Sequence, residues 1–147
     1  MKNYWFWLLV LVLVIPGCRY VVEDEEANLR LYCDPSAAGP SYFDGREYHW
    51  EFDVTVAETS GDLGVELVYF QYEIIRDGVI IGHDSGNCGF IRDFFGESCY
   101  LNPGERWSES VEITSSYRTE MEVNFLIVGF DDNGLEFKVP AQFRAWD

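Results

Sequence analysis

The sequence predicts an all-β domain, a sandwich of two antiparallel sheets with about seven strands. Three observations predict it. After Asn28, several stretches alternate apolar and polar residues with period two. Those stretches end in turn-forming Gly, Asp, Asn and Pro residues. Over the same region no stretch carries a convincing helical period.

The strands follow in order. Leu29 to Cys33 reads as the first. Tyr48, Trp50, Phe52, Val54 and Val56 then share one face while His49, Glu51, Asp53 and Thr55 take the other, as in a half-buried antiparallel strand. Gly64 to Arg76 is apolar on both sides over Val65 to Tyr72, which predicts a central strand covered on both faces near its start. Asp77-Gly78 breaks it before Val79, Ile80 and Ile81 resume, a strong hairpin signal because the tight turn needs positive φ. Arg106 to Thr114 places Trp107, Glu109, Val111 and Ile113 on one face, and the charge at Glu109 marks a peripheral strand. Glu120 to Phe130 sets Met121, Val123, Phe125 and Ile127 against Leu126, Val128 and Phe130. Asp132-Asn133-Gly134 turns it into a last strand with Leu135, Phe137, Val139, Ala141 and Phe143 facing in; Pro140 confines that strand to an edge or a bulge. Short strands of this number favour an immunoglobulin-like sandwich over a closed barrel.

The turn chemistry carries a resemblance. Phe52-Asp53-Val54-Thr55-Val56 with Glu58-Thr59-Ser60-Gly61, then Leu101-Asn102-Pro103-Gly104-Glu105 and Gly129-Phe130-Asp131-Asp132-Asn133-Gly134, is similar to small immunoglobulin-like or fibronectin-type-III-like domains of bacterial secreted proteins. The similarity runs from Tyr48 to Trp146 and implies a binding, spacing or assembly module and no enzyme. It names no ligand.

The N-terminus has another character. Lys2 precedes the unbroken apolar run Trp5 to Ile15, which is too short to span a bilayer as a helix and matches a secretory signal peptide. Ile15-Pro16-Gly17-Cys18 resembles the lipobox of bacterial lipoproteins, with proline where Ala, Ser or Thr is commoner. The resemblance implies that Cys18 is acylated and becomes the first residue of the mature chain. Two or three acyl chains anchor stably, so the partner predicted for this end is a membrane. Arg19, where aspartate would hold such proteins at the inner membrane, implies the outer membrane or cell surface. The expected organisation is therefore a signal peptide over 1–17, a lipidated cysteine and acidic tether over 18–27, and the sandwich over 28–147.

Charge and aromatic content narrow the function. With 26 acidic and 10 basic residues the chain carries a net charge of −16, a field that repels phosphate backbones and excludes nucleic acid as a partner. Aromatics make up 17%, ample for a core and for contacts with a protein or glycan partner at the cell surface.

Once Cys18 is set aside, Cys33, Cys88 and Cys99 remain, in a compartment that permits disulfides. The expected bond is Cys88 with Cys99, which closes a short loop and contributes about 2–3 kcal/mol by chain entropy. Gly89 to Ser98 shows too little pattern to hold itself. Cys33 is then a buried free thiol, and its pairing with Cys88 or Cys99 is the rival.

No constellation points to catalysis, a metal or a cofactor. His83-Asp84-Ser85 has the letters of a hydrolase triad, but on a strand Asp84 projects away from His83 and cannot orient it. Asp131, Asp132, Asn133 and Glu136 lack the spacing of a calcium loop and suit a tight turn. The predicted binding residues are Phe90, Arg92, Phe94, Phe95 and Tyr100, in and beside the cysteine-bounded loop, where aromatics with an arginine make a hot spot. Alternatively these side chains fold back and cap the sandwich. Tyr42, Phe43, Tyr48 and Trp50 form a possible sugar-stacking platform or part of the core and rim.

Overall fold

The computed structural model describes residues 26–147; the leader, Cys18 and residues 19–25 of the tether lie outside the described residues. Among the described residues ten strands and one helix follow in order: β1 (Leu29–Asp34), β2 (Ala37–Ala38), β3 (Tyr42–Phe43), β4 (Tyr48–Glu58), β5 (Val65–Arg76), β6 (Val79–Gly86), α1 (Cys88–Phe95), β7 (Tyr100–Leu101), β8 (Arg106–Ser115), β9 (Met121–Asp131) and β10 (Glu136–Ala145). Three strands have two residues each, so seven strands of six or more build the fold.

In one sheet β4 is central, with β8 along one edge and β1 and β3 sharing the other. The second sheet runs β2-β10-β9-β5-β6, with β7 beside the start of β5. The seven long strands thus divide into β1, β4 and β8 in one sheet and β5, β6, β9 and β10 in the other, as in an immunoglobulin-like sandwich, and among the described residues only the short β2 is parallel to its neighbour. Trp50, Phe52, Val54 and Val56 from β4 meet Phe70, Phe125, Ile127 and Phe143 of the facing sheet, all buried. The Phe52 and Phe143 rings stack at 3.8 Å.

Three expectations need correction. The apolar run of β5 is not a strand covered on both faces. Val68 is an extra residue where the pairing with β9 slips, so the inward parity changes from Val65 and Leu67 to Phe70, Tyr72 and Ile74. Gly129 lies opposite this bulge, where a Cβ would stand 2.8 Å from Val65 Cγ1 and 2.9 Å from the Glu66 carbonyl oxygen. Leu135 is exposed, because it belongs to the turn and β10 begins one residue later. Cys88–Phe95 of the cysteine-bounded segment form a helix, where the sequence predicts an unpatterned loop.

Other expectations hold. Asp77 and Gly78 have φ of 53° and 76° and close the β5–β6 hairpin. Among the described residues β8 pairs with β4 alone and is an edge, and Pro140 lies where β10 has no outer neighbour.

The end of the sandwich where the chain enters at Ala27 and Asn28 is closed by a buried carboxylate. Glu58, 2% exposed, accepts hydrogen bonds from the backbone N–H groups of Asn28, Ser60, Gly61 and Gly104 and from the Ser60 hydroxyl. Burial opposes its ionisation, yet these donors outweigh it and hold the carboxyl down to about 2. Asp131 and Asp132 also tie loops together: Asp131 accepts from the N–H groups of Asn133 and Leu135, and Asp132 from Gly64 N–H and the Tyr100 hydroxyl.

Candidate functional site

Helix α1 forms for local reasons the strand reading overlooked. The Asn87 side chain accepts from the Gly89 N–H at 3.2 Å, capping the start. Gly96, at φ 72°, ends the helix in the left-handed region and donates its N–H to the Arg92 carbonyl. Between the caps, Phe90, Ile91, Phe94 and Phe95 repeat at i, i+1, i+4 and i+5, one apolar stripe. Cys88, its first residue, is bonded to Cys99, so the disulfide ties the helix to the strand that follows. Cys33 is buried and free, and burial pushes its thiol up to about 12.

The stripe turns into the gap between the sheets. The ring of Phe70 lies 4.8 Å from Phe94, 5.4 Å from Phe95 and 6.0 Å from Phe90. Phe95 reaches across to Trp107 of β8 at 6.3 Å. Close seating over β6 depends on Gly86, where a Cβ would fall 2.4 Å from Phe90 Cβ. The register places Gly82, Asp84 and Gly86 of β6 opposite Ile74, Tyr72 and Phe70, so β6 offers no apolar side chain beside these rings.

The helix therefore plugs only part of the gap. Beside it remains a cleft of about 320 Å³ lined by Tyr72, Ile74, Val123 and Phe125 of one sheet, Val111 and Ile113 of β8, and Phe90 and Phe94 of the helix. Asp93 and Glu112 are its two charged lining residues. Concavities of about 710 and 540 Å³ lie elsewhere. The first adjoins Glu58, whose oxygens are engaged by the surrounding loops. The second, beside Trp146, is lined by Asp77, Glu120, Glu122 and Arg144. Apolar walls with few charges are the usual form of a binding cleft, which singles out the smaller one.

The five predicted binding residues divide. Phe90 and Phe94 line the cleft, half-buried; Phe95 is core. Arg92 and Tyr100 are exposed and do not line it. Tyr100 is directed to Asp132, donating to its carboxylate oxygens at 2.9 and 3.0 Å. The rings thus fold back against the sandwich, as in the alternative reading, and leave one side of Phe90 and Phe94 on the cleft. The sugar-stacking group divides too. Trp50 is fully buried and donates to the Trp146 carbonyl, and Tyr48 is half-buried with Arg118 5.8 Å above its ring. Tyr42 and Phe43 are exposed at 44% and 51%.

Sequence reasoning missed His49. It projects from the outer face of β4, buried beneath Tyr42, whose ring stacks on it at 4.1 Å. Asp44 lies 3.4 Å from Nε2 and Glu112 3.1 Å from Nδ1, so both carboxylates attract the ring when it is protonated. Burial disfavours the imidazolium, but Glu112 and Asp44 outweigh it and the His49 pKa is raised. Tyr42 donates to Glu112 at 3.0 Å. A lone histidine among acids on a polar strand face, preceded by a tyrosine, is the signal that was present.

No family model matches the sequence, and no curated protein matches it. Solved structures match at the level of fold. The chain is similar to a protein assigned as ApaA from Bordetella pertussis, at 15% identity and a TM-score of 0.60, over 83% of this chain and 95% of that one. It is also similar to a structural genomics target, at 11% identity and a TM-score of 0.52, over 83% and 84% of the two chains. Identities this low establish shared architecture, and the architecture they support is the immunoglobulin-like sandwich traced above.

Proposed function

We propose that the protein is a non-enzymatic binding or assembly module, lipid-anchored through Cys18 at the cell envelope, and that the cleft beside α1 receives an apolar part of a partner protein. The observation that carries this reading is the cleft, an apolar concavity built from both sheets and a helix tied down by a disulfide. The carboxylates Glu58, Asp131 and Asp132 support it from another side, because each accepts hydrogen bonds from loop donors and so holds loops together.

An anchor at Cys18 would join the domain at Ala27 and Asn28, the end that Glu58 closes. The chain enters the domain beside Glu58, and the β5–β6 hairpin lies at the opposite end. Residues Arg19 to Ala27, fully extended, would reach up to about 30 Å. A domain on that tether presents its flank and its far end to partners.

Two measurements test the reading. Intact mass of protein purified from host membranes should begin at Cys18 with acyl chains added; an unacylated mass withdraws the anchor. A photo-crosslinking residue at position 111 should capture a defined envelope protein that the same residue at position 138, on β10, does not. Equal capture from both positions would remove the cleft from the proposal. A glycan-binding reading is favoured by the exposed Tyr42 and Phe43 alone, and silence on a glycan array counts against it.

A further inference from the structure

We infer that the occupant of the cleft is an extended segment of a partner protein, added as a strand along the free edge of β8, with alternate apolar side chains entering the cleft and basic residues flanking them. This rests on the cleft reading above and gives its partner a chemistry.

The edge comes first. β8 pairs with β4 over residues 106–115, and among the described residues no strand pairs with its other edge. A free edge presents a row of backbone donors and acceptors that another strand can satisfy. The chain passes from β6 to β7 through α1, so the place beside β8 is filled by a helix near Trp107 and by no strand beyond it.

The inner face of β8 shows where the side chains of an added strand would go. Trp107 and Ile113 are buried at 5% and 7%, whereas Val111 between them is only half-buried and faces the cleft. Successive inward residues of an added strand would stand beside Val111 and Ile113, following the same period of two. A volume of about 320 Å³ is at the lower bound for small-molecule sites and suits a few side chains of a longer segment.

Charge then selects the partner. β8 carries Glu109 and Glu112, the helix carries Asp93, and Glu97 follows it, against Arg92 and Arg106. Glu109 points inward and is half-buried on an edge strand, a placement that disfavours pairing with a second copy of β8, because two such charges would approach each other. Lysine or arginine beside the apolar alternation would meet Glu109 and Asp93 instead.

The test uses the whole purified chain and two synthetic peptides of about ten residues, both flanked by lysines. One alternates valine with threonine; the other has the same composition with its valines consecutive. The alternating peptide should bind and the other should bind at least about tenfold more weakly. On binding, backbone amides within Ser108 to Thr114 should gain protection from hydrogen exchange. Val111→Asp should weaken binding at least about tenfold, and Asp93→Lys, at an exposed position that leaves folding intact, about threefold, with further weakening at about 0.5 M salt. Equal binding of both peptides, or binding without new protection in β8, overturns the proposal. So does concentration-dependent dimerisation that protects β8 without peptide. If a neutral apolar dye such as N-phenyl-1-naphthylamine enters the cleft while β8 stays unprotected by peptide, strand addition fails and the cleft reading stands. If neither dye nor peptide binds, both fail.

Discussion

The end of the sandwich around Glu58 and the flank between β8 and α1 solve the same problem in opposite ways. Each is a place where the two sheets part and loops cross the gap. At the first, one buried carboxylate gathers backbone donors from the start of β1, the β4–β5 loop and the turn before β8, and the end is closed by polar contacts. At the second, closure is apolar and incomplete: Phe90, Phe94 and Phe95 rest on Phe70, and the space beyond them is open. A carboxylate with several donors leaves little unsatisfied for a ligand to claim. An apolar flank with a free strand edge leaves both surface and hydrogen-bonding groups.

The comparison breaks most visibly at Glu58. Replacing it with alanine leaves several loop N–H groups without an acceptor and should cost about 3 kcal/mol of stability, read by urea unfolding, with the cleft's affinity unchanged in the folded fraction. Its pH signature follows from the direction of the shift. The folded carboxyl titrates near 2 against an ordinary 4.5, so the stability it confers is complete above about 4.5 and is lost as the pH falls towards 2. Glu58→Gln should flatten that part of the stability curve; an unchanged acid limb would mean that other carboxylates dominate it.

Removing the disulfide by Cys88→Ser with Cys99→Ser should cost about 2–3 kcal/mol and, unlike the change at Glu58, should also weaken ligand capture, because the helix wall is released. Gly86→Ala is the next smaller change. The added methyl collides with Phe90 and should cost about 1–3 kcal/mol while displacing the helix, seen as altered near-ultraviolet dichroism and altered cleft affinity. At the far end, Ile80→Thr replaces an exposed side chain and should change stability by no more than about 0.5 kcal/mol and leave cleft binding alone.

Much of the fold was legible because each long strand carries its own period-two pattern and its own turn. Trp50 to Val56 on β4, Asp77-Gly78 and Asp132-Asn133-Gly134 needed no long-range information. The bulge at Val68 was not legible, since a parity change within an apolar run looks the same as two buried faces until the partner strand is known. The helix was missed for a different reason. Its stripe is short, and the cysteines around it suggested a loop held by its bond, although Asn87 and Gly96 stand at its cap positions. The site was legible in half: the aromatics of the cysteine-bounded segment stand out, but Val111 and Ile113 read only as one face of a peripheral strand. A cleft is a property of two sheets, and neither strand records it alone.

The central claim, that the flank between β8 and α1 is an apolar binding cleft, is tested most directly by titrating N-phenyl-1-naphthylamine into the folded protein and its variants. The account predicts a fluorescence rise that saturates, is lost in Val111→Asp and persists in Ile80→Thr. A rise that survives Val111→Asp and disappears in Ile80→Thr would place the apolar site at the β5–β6 hairpin and contradict it.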